Sequence, residues 1–373
     1  MKNKIAVDLL WLRPDKVGGT ESYIRNLLSG LMNLEEEFHF VLITSLDNEE
    51  TFRHYLTDER FEMIVADVES KNIGKRIIWQ WLHQNRLLRK NGLKYCFTPV
   101  YCRPLFNGGI QYVNTIHDIQ AYHYPKYHPY YEVVFSKLNW LVDKYFSKHI
   151  VAISEFVKQD LVDIYHFNPD KIDVIYNPIL IDKSDVVSFD VVREKYQIEK
   201  EEYYYSVSQL IPHKNFDTLI DVFKQIKDRQ CGLPCKLLVS GINGNAGEAL
   251  RKKLKQLNLE ENIILTGFVD NNVRNTLYQN CKAFLFPSVF EGFGMTAVEA
   301  MYWGRPVLTT KCASIPEVTQ WKADYVDDPY DVDEWIQKMR CLRNRSDELD
   351  YKKYDEEKIA RKYLELINIQ FQI

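Results

Sequence analysis

The sequence predicts an α/β protein of two halves, each folded around its own parallel sheet, with a helix closing the chain. Short, almost wholly apolar runs alternate with amphipathic helical stretches, the pattern of strands buried on both faces and joined by crossover helices. This rhythm breaks once, at Tyr176-Asn177-Pro178, and then restarts. The 373 residues are too many for one ordinary core and suit two domains of roughly 100–200 residues each.

In the first half, 5–10 is a buried strand, followed by Gly18-Gly19-Thr20 and a helix with Ile24, Leu27, Leu28 and Leu31 on one face. Further strands are expected at 38–43, 63–65, 112–116, 150–153 and 172–175. A helix should begin at Ser154, with Glu155 in its first turn. Residues 180–190 lack a pattern and read as a linker. Strands follow at 203–207, 236–239, 263–265, 283–286 and 306–309, and a charge-rich helix occupies roughly 350–370. The expected domains are 1–178 and 179–355, with 356–373 as a C-terminal helix crossing back to the first domain.

Composition excludes several classes. A net charge of −4 is not that of a nucleic-acid binder, and no nucleic-acid partner is expected. The seven cysteines are an odd number without a CxxC pair, so they read as reduced thiols rather than a zinc site or disulfide framework. The apolar run after Met1-Lys2-Asn3-Lys4, with Arg13 and Asp15 beyond it, is too short for a signal-peptide core. No apolar run reaches 18 residues, so the expected location is cytoplasmic. Neither half shows GxGxxG after its first strand, and GxxxxGK[ST] is absent, which disfavours a dehydrogenase and a P-loop NTPase.

The segment from Pro287 to Ala300 carries the most chemistry. A strand ends in Pro-Ser, a loop holding Gly292 and Gly294 follows, and a helix begins near Met295 and Thr296. A helix start offers unpaired N–H groups and partial positive charge, a natural seat for a diphosphate. The glycines let backbone approach a ligand closely. Glu291 stands before the helix and Glu299 within it, so their carboxylates would meet one ligand at different depths. Ionised carboxylates accept two donors each and grip sugar hydroxyls well.

This pattern, Pro-Ser-x-x-Glu-Gly-Phe-Gly-x-x-x-x-Glu-Ala, closely resembles the hallmark of glycosyltransferase family 4, retaining enzymes of the GT-B fold. The likeness extends over nearly the whole chain. Ser206 to Asn215 resembles the family's phosphate-binding lysine segment, and Val17-Gly18-Gly19-Thr20-Glu21 its glycine loop. Asn114 to Asp118 is similar to its His-Asp strand end, Ala152 to Glu155 to its helix start, and Tyr176-Asn177-Pro178 to its hinge entry. The resemblance implies two Rossmann-like domains with parallel sheets facing across a cleft. It implies that Glu299 binds the nucleotide ribose and Lys214 the diphosphate, that Glu291 lies against the donor sugar, and that His117 contacts that sugar near the reacting centre. Gly18 and Gly19 would make room for the phosphates, and Gly294, Met295 and Thr296 would seat them. No cofactor and no metal are expected, since lysine and helix N-terminus neutralise the phosphates. The chain departs from the pattern at Gln209, where many members carry arginine. An amide cannot form a charged fork, so His213 or Arg305 replaces it, or binding leans on Lys214.

From Ser70 to His117 there is no Asp or Glu, while 71–94 carries Lys71, Lys75, Arg76, Arg86, Arg89, Lys90 and Lys94. Ile77, Ile78, Trp79, Trp81 and Leu82 form an apolar cluster on a helix there. This segment reads either as a peripheral contact with an anionic membrane face or as a core-packed helix with a solvated basic side. The aromatic run 122–131 reads either as a wall for a sugar acceptor or as a packed loop. The resulting expectation is a retaining hexosyltransferase. Its donor is a UDP- or GDP-sugar, and its acceptor a glycan hydroxyl, lipid-linked in surface-polysaccharide (lipopolysaccharide or capsule) biosynthesis. The alternatives are a nucleotide-sugar epimerase, a glycosyl phosphorylase, or a non-catalytic nucleotide-sugar binding protein.

Overall fold

The computed structural model describes residues 4–13, 18–100 and 102–372. The chain divides into two compact units, Met1–Leu180 with Lys352–Ile373, and Ile181–Tyr351.

The first unit holds a seven-stranded parallel sheet. Its strands are β1 (Ile5–Asp8), β2 (Phe40–Ser45), β3 (Phe61–Ala66), β4 (Tyr95–Thr98), β5 (Gln111–Ile116), β6 (His149–Ala152) and β7 (Ile172–Val174). They lie in the order β3-β2-β1-β4-β5-β6-β7. All four residues of β1 are buried, as its apolar run requires. The Gly19–Asn33 helix buries Ile24, Leu27, Leu28 and Leu31, the periodic face read from the sequence. The closing helix, Glu356–Phe371, adds Ile359, Tyr363, Leu364 and Ile367 to the same core.

The second unit holds a six-stranded parallel sheet. Its strands are β8 (Tyr204–Val207), β9 (Leu237–Ser240), β10 (Ile263–Gly267), β11 (Ala283–Phe286), β12 (Val307–Thr310) and β13 (Asp324–Val326), in the order β10-β9-β8-β11-β12-β13. Residues 181–188 carry no helix or strand, and a helix starts at Phe189. In each sheet the strand order reverses once, between β1 and β4 and between β8 and β11. Doubly wound sheets bind ligands outside the strand ends at such points.

Two strands escaped the sequence reading. β4 lies inside the stretch 70–117 that has no Asp or Glu, and β13 opens on an aspartate. Asp324 is buried there because Arg343 donates its backbone N–H to it at 2.7 Å and its guanidinium, with that of Arg345, closes around it. Partners distant in sequence thus neutralise a residue that looks like a strand breaker.

Candidate active site

In the second unit the predicted residues of two segments meet. After β8 the backbone makes a 3-10 turn over Pro212–Lys214, then Asn215 in the left-handed region caps the Phe216–Arg229 helix. Lys214 therefore sits in a turn ahead of the helix rather than in its first turn. The carbonyl of His213 accepts Val289 N–H at 2.9 Å and Ser288 Oγ–H at 3.3 Å, which ties this turn to the loop after β11. As a result Lys214 Nζ donates to both carboxylate oxygens of Glu291, at 2.6 and 2.8 Å. Both side chains are largely enclosed, 15% and 11% exposed.

The glycine loop is fixed from below. Ser314 Oγ–H donates to the carbonyls of Glu291 (2.9 Å) and Phe293 (3.2 Å), and Thr310 Oγ1–H to that of Ser288 (2.6 Å). Gly294, with φ 91°, caps the Met295–Tyr302 helix. A side chain there would need a disfavoured backbone, and its Cβ would press Phe286 at 3.3 Å. Met295 and Thr296 then occupy the first helical positions, whose N–H groups have no intrahelical acceptor. Glu299, 8% exposed, accepts a hydrogen bond from Tyr278 Oη at 3.0 Å. Arg274 lies close enough that the Glu299 charge is the foremost cause of its raised pKa. Its Nε has no hydrogen-bond partner among the described residues.

Gln209 is exposed in the loop after β8. Neither proposed replacement stands free to act for the missing arginine. Arg305 precedes β12, at the amino edge of the sheet, and donates to the Cys281 carbonyl (3.1 Å) and Glu201 (3.2 Å). That is the sheet edge opposite to the Met295 helix start. His213 is buried within its turn. Arg274 is the cation beside Glu299. Sequence reading missed it, and missed Tyr278, because neither belongs to a spaced motif.

In the first unit, Gly18 (φ 64°, ψ −132°) caps the Gly19–Asn33 helix, and among the described residues a Cβ at Gly18 or Gly19 would meet nothing within 4 Å. Val17 of this loop, like Asp15 and Met1 to Asn3, lies outside the described residues. His117 follows β5, and its Nε2 lies 2.8 Å from the Pro99 carbonyl oxygen. A carbonyl only accepts, so Nε2 carries the proton and Nδ1 of the neutral ring remains an acceptor. Burial pushes this imidazole down to about 4, against which the Pro99 hydrogen bond works weakly. Tyr23 packs edge-on against the ring at 4.9 Å, and its hydroxyl donates to Tyr363 at 2.8 Å. Asp118 accepts Gln120 N–H at 2.9 Å and so caps the next turn.

The basic segment does not pack its whole apolar cluster inward, as the second of its two readings would have it. Ile73–Trp79 and Gln80–Gln84 form a continuous helical stretch whose buried residues are Arg76, Gln80 and Gln84, while Ile73, Ile78 and Leu82 are exposed. The cause is Asp8, buried at the end of β1, which accepts from Gln80 (3.1 Å) and Gln84 (2.7 Å). Trp79 is partly buried against the first unit's core. In the aromatic run Tyr124 and Tyr127 stack at 5.5 Å, while Tyr130 and Tyr131 are exposed. No helix of the described residues is long and apolar enough to cross a membrane.

Two family models cover most of the chain. "Glycosyltransferase Family 4" matches residues 17–183 and "Glycosyl transferases group 1" matches residues 188–358. O-antigen chain mannosyltransferase B of Escherichia coli is 28% identical over 224 residues, 59% of this chain and 58% of that protein, less than two thirds of its length. O-antigen chain mannosyltransferase RfbU of Salmonella typhimurium is 25% identical over 288 residues, 76% of each. Among solved structures, Anabaena HepE in complex with UDP-glucose aligns with a TM-score of 0.73 at 16% identity, over 98% of this chain and 99% of that one. At that identity the likeness concerns the fold, which is GT-B. Matched by these two models over 17–183 and 188–358, the chain belongs to glycosyltransferase family 4.

Proposed function

We propose that the chain transfers a hexose from a UDP- or GDP-sugar to a glycan hydroxyl, with retention at the anomeric carbon, during assembly of a lipid-linked surface polysaccharide. The observation that carries this reading is the Lys214–Glu291 pair, held beside the helix start at Gly294 and one turn from the tethered Glu299. Lys214 and the N–H groups of Met295 and Thr296 are the diphosphate's electrostatic partners. Glu299, oriented by Tyr278, accepts from the ribose hydroxyls. Glu291 lies against the donor sugar. By the family resemblance, Gly18 and Gly19 leave room for phosphate, and His117 meets the donor sugar through its unprotonated Nδ1. In the transfer, the bond from the anomeric carbon to the phosphate oxygen breaks as the acceptor oxygen bonds the same face. The departing phosphate takes the acceptor proton. The relatives named as O-antigen mannosyltransferases support the polysaccharide setting, and the neighbour solved with UDP-glucose supports a nucleotide-sugar donor.

The test is a thermal-shift series with UDP, GDP, ADP and CMP and their sugar conjugates, on wild type and Glu299→Ala. Stabilisation by one nucleotide series, lost in the variant, supports the assignment through binding linkage. Equal response of the variant refutes it. Sugar release without acceptor, or consumption of phosphate, would redirect the reading to epimerase or phosphorylase chemistry.

A further inference from the structure

The second unit encloses a guanidinium nitrogen and gives it nothing to bond. Arg274 is half-buried, and its Nε, shut off from solvent, has no hydrogen-bond partner among the described residues. An enclosed charged donor without an acceptor is costly, so such a group in a folded protein calls for an explanation. Arg274 lies in the first turn of the Asn271–Asn280 helix. That helix follows β10 and so starts at the carboxyl edge of the sheet, as the Met295–Tyr302 helix does after β11. Its rotation is set by the segment before the first helix of the unit. Asn275 Nδ2 donates to the Asp185 carbonyl at 2.9 Å, and Thr276 Oγ1 accepts Val187 N–H at 3.0 Å. With these two residues turned to 185–187, Arg274 and Tyr278, four apart on one face, are left towards Glu299. Tyr278 Oη donates to Glu299 Oε2 at 3.0 Å, and its ring is set edge-on against Tyr205 at 5.1 Å. Of the charged groups around Arg274, Glu299 has the strongest electrostatic hold on it, ahead of Tyr278, Tyr205 and Asp185.

Glu299 and Arg274 are complementary halves of one site. An ionised carboxylate only accepts and a guanidinium only donates. Tyr278 engages one oxygen of Glu299 and leaves the carboxylate with acceptor capacity to spare. Side by side the two side chains carry no net charge, so they have little pull on a phosphate beside that of Lys214 and the helix start at Gly294. They suit an uncharged group that must both donate and accept. A vicinal diol is such a group, since each hydroxyl gives its proton to the carboxylate and keeps lone pairs that need a donor. We propose that Arg274 is a specificity-determining residue of the donor site, its guanidinium donating to the oxygens of the ribose hydroxyls whose protons Glu299 accepts. The inference rests on the reading of Glu299 as the ribose acceptor and goes beyond it, because it makes the site select ribonucleotides over deoxyribonucleotides. A deoxy sugar leaves the guanidinium as it stands in the free protein, with an enclosed N–H unpaired. A site built to bond a hydroxyl rejects an analogue lacking it for that reason.

The experiment is calorimetric titration of the full chain with UDP and GDP and with their 2′-deoxy and 3′-deoxy counterparts, on wild type, Arg274→Leu and Arg274→Lys. Wild type should prefer the ribonucleotide over at least one deoxy form by about 100-fold, because two charged partners each contribute about ten-fold or more. In Arg274→Leu that preference should shrink by about ten-fold, with most of the loss falling on the ribonucleotide. Arg274→Lys keeps the charge and a single donor group, and should recover part of the preference. The ratio is taken within one protein, so a reduced folded fraction in a variant cancels from it. Ribo- and deoxynucleotide weakened alike in Arg274→Leu would make Arg274 a counter-ion of Glu299 and nothing more, and overturns the proposal. So does a wild type that binds both kinds of sugar equally. Failure of the donor reading is a different result: wild type that binds neither UDP nor GDP refutes that reading and this inference together.

Discussion

Lys214 and Glu291 hold each other before any ligand arrives, and this makes the two residues respond in opposite ways to substitution. The ammonium donates to both carboxylate oxygens at 2.6 and 2.8 Å in a largely enclosed setting. For Lys214 to hold a diphosphate it must give up at least part of that pairing. A hydrogen bond to a charged partner is worth about 1.5–3 kcal/mol. Releasing one such bond beforehand should therefore tighten free diphosphate binding by about ten-fold. Glu291→Gln keeps the shape and one acceptor but removes the competing charge. UDP or GDP should bind this variant about ten-fold more tightly, measured by calorimetry, while sugar transfer falls by at least about two orders of magnitude. Lys214→Ala should lose both binding and transfer. Its remaining carboxylate lies next to the Gly294 helix start, whose partial positive charge moderates the loss of stability. A Glu291→Gln protein that bound the nucleotide diphosphate more weakly than wild type would refute the competition, and with it the assignment of Lys214 to the phosphates.

Other outcomes follow from single contacts. Tyr278→Phe removes the hydroxyl donor to Glu299 and should raise the donor KM about ten-fold with kcat little changed, read from initial rates. Gly241→Ala should destabilise the second unit by about 3 kcal/mol or more in urea unfolding, because its φ is 141° and a Cβ would fall 1.9 Å from the Ser208 carbonyl oxygen. His117 has a folded pKa of about 4, below the unfolded value near 6.5, so between those values the unfolded chain binds the proton more readily. Its contribution is present above pH 6.5 and is lost as pH falls towards 4. Stability measured across that window should decline less in His117→Gln than in wild type by up to about 3 kcal/mol.

Much of the second unit's site could be read from spacing. Glu291, Gly294 and Glu299 lie within nine residues, so a strand, a tight loop and a helix start place them by local geometry alone. The pairing of Lys214 with Glu291 spans 77 residues and depends on β8 and β11 being neighbours, which no local pattern states. The same holds for Tyr278 and Arg274, brought to Glu299 by a helix with no motif of its own. The facing of the 73–84 and Tyr130–Phe146 helices was not legible in the sequence, because hydrophobicity marks the side that avoids water only when the other side has no buried partner. Asp8 demanded donors from Gln80 and Gln84, and Asn114 and Ser147 supplied them to Asp143, so polar residues turned inward.

The sequence by itself determined the class of fold, its two-part rhythm, the buried face of the Gly19–Asn33 helix, the presence of a closing helix, and the spacing of glycines and carboxylates around Glu291. These are short-range properties, fixed by period and backbone freedom. Only the tertiary structure decided that Lys214 and Glu291 are counter-ions, that Arg305 lies at the far edge of its sheet, and which sides of two helices meet solvent. Those depend on strand order and on polar partners that meet only when the sheets form.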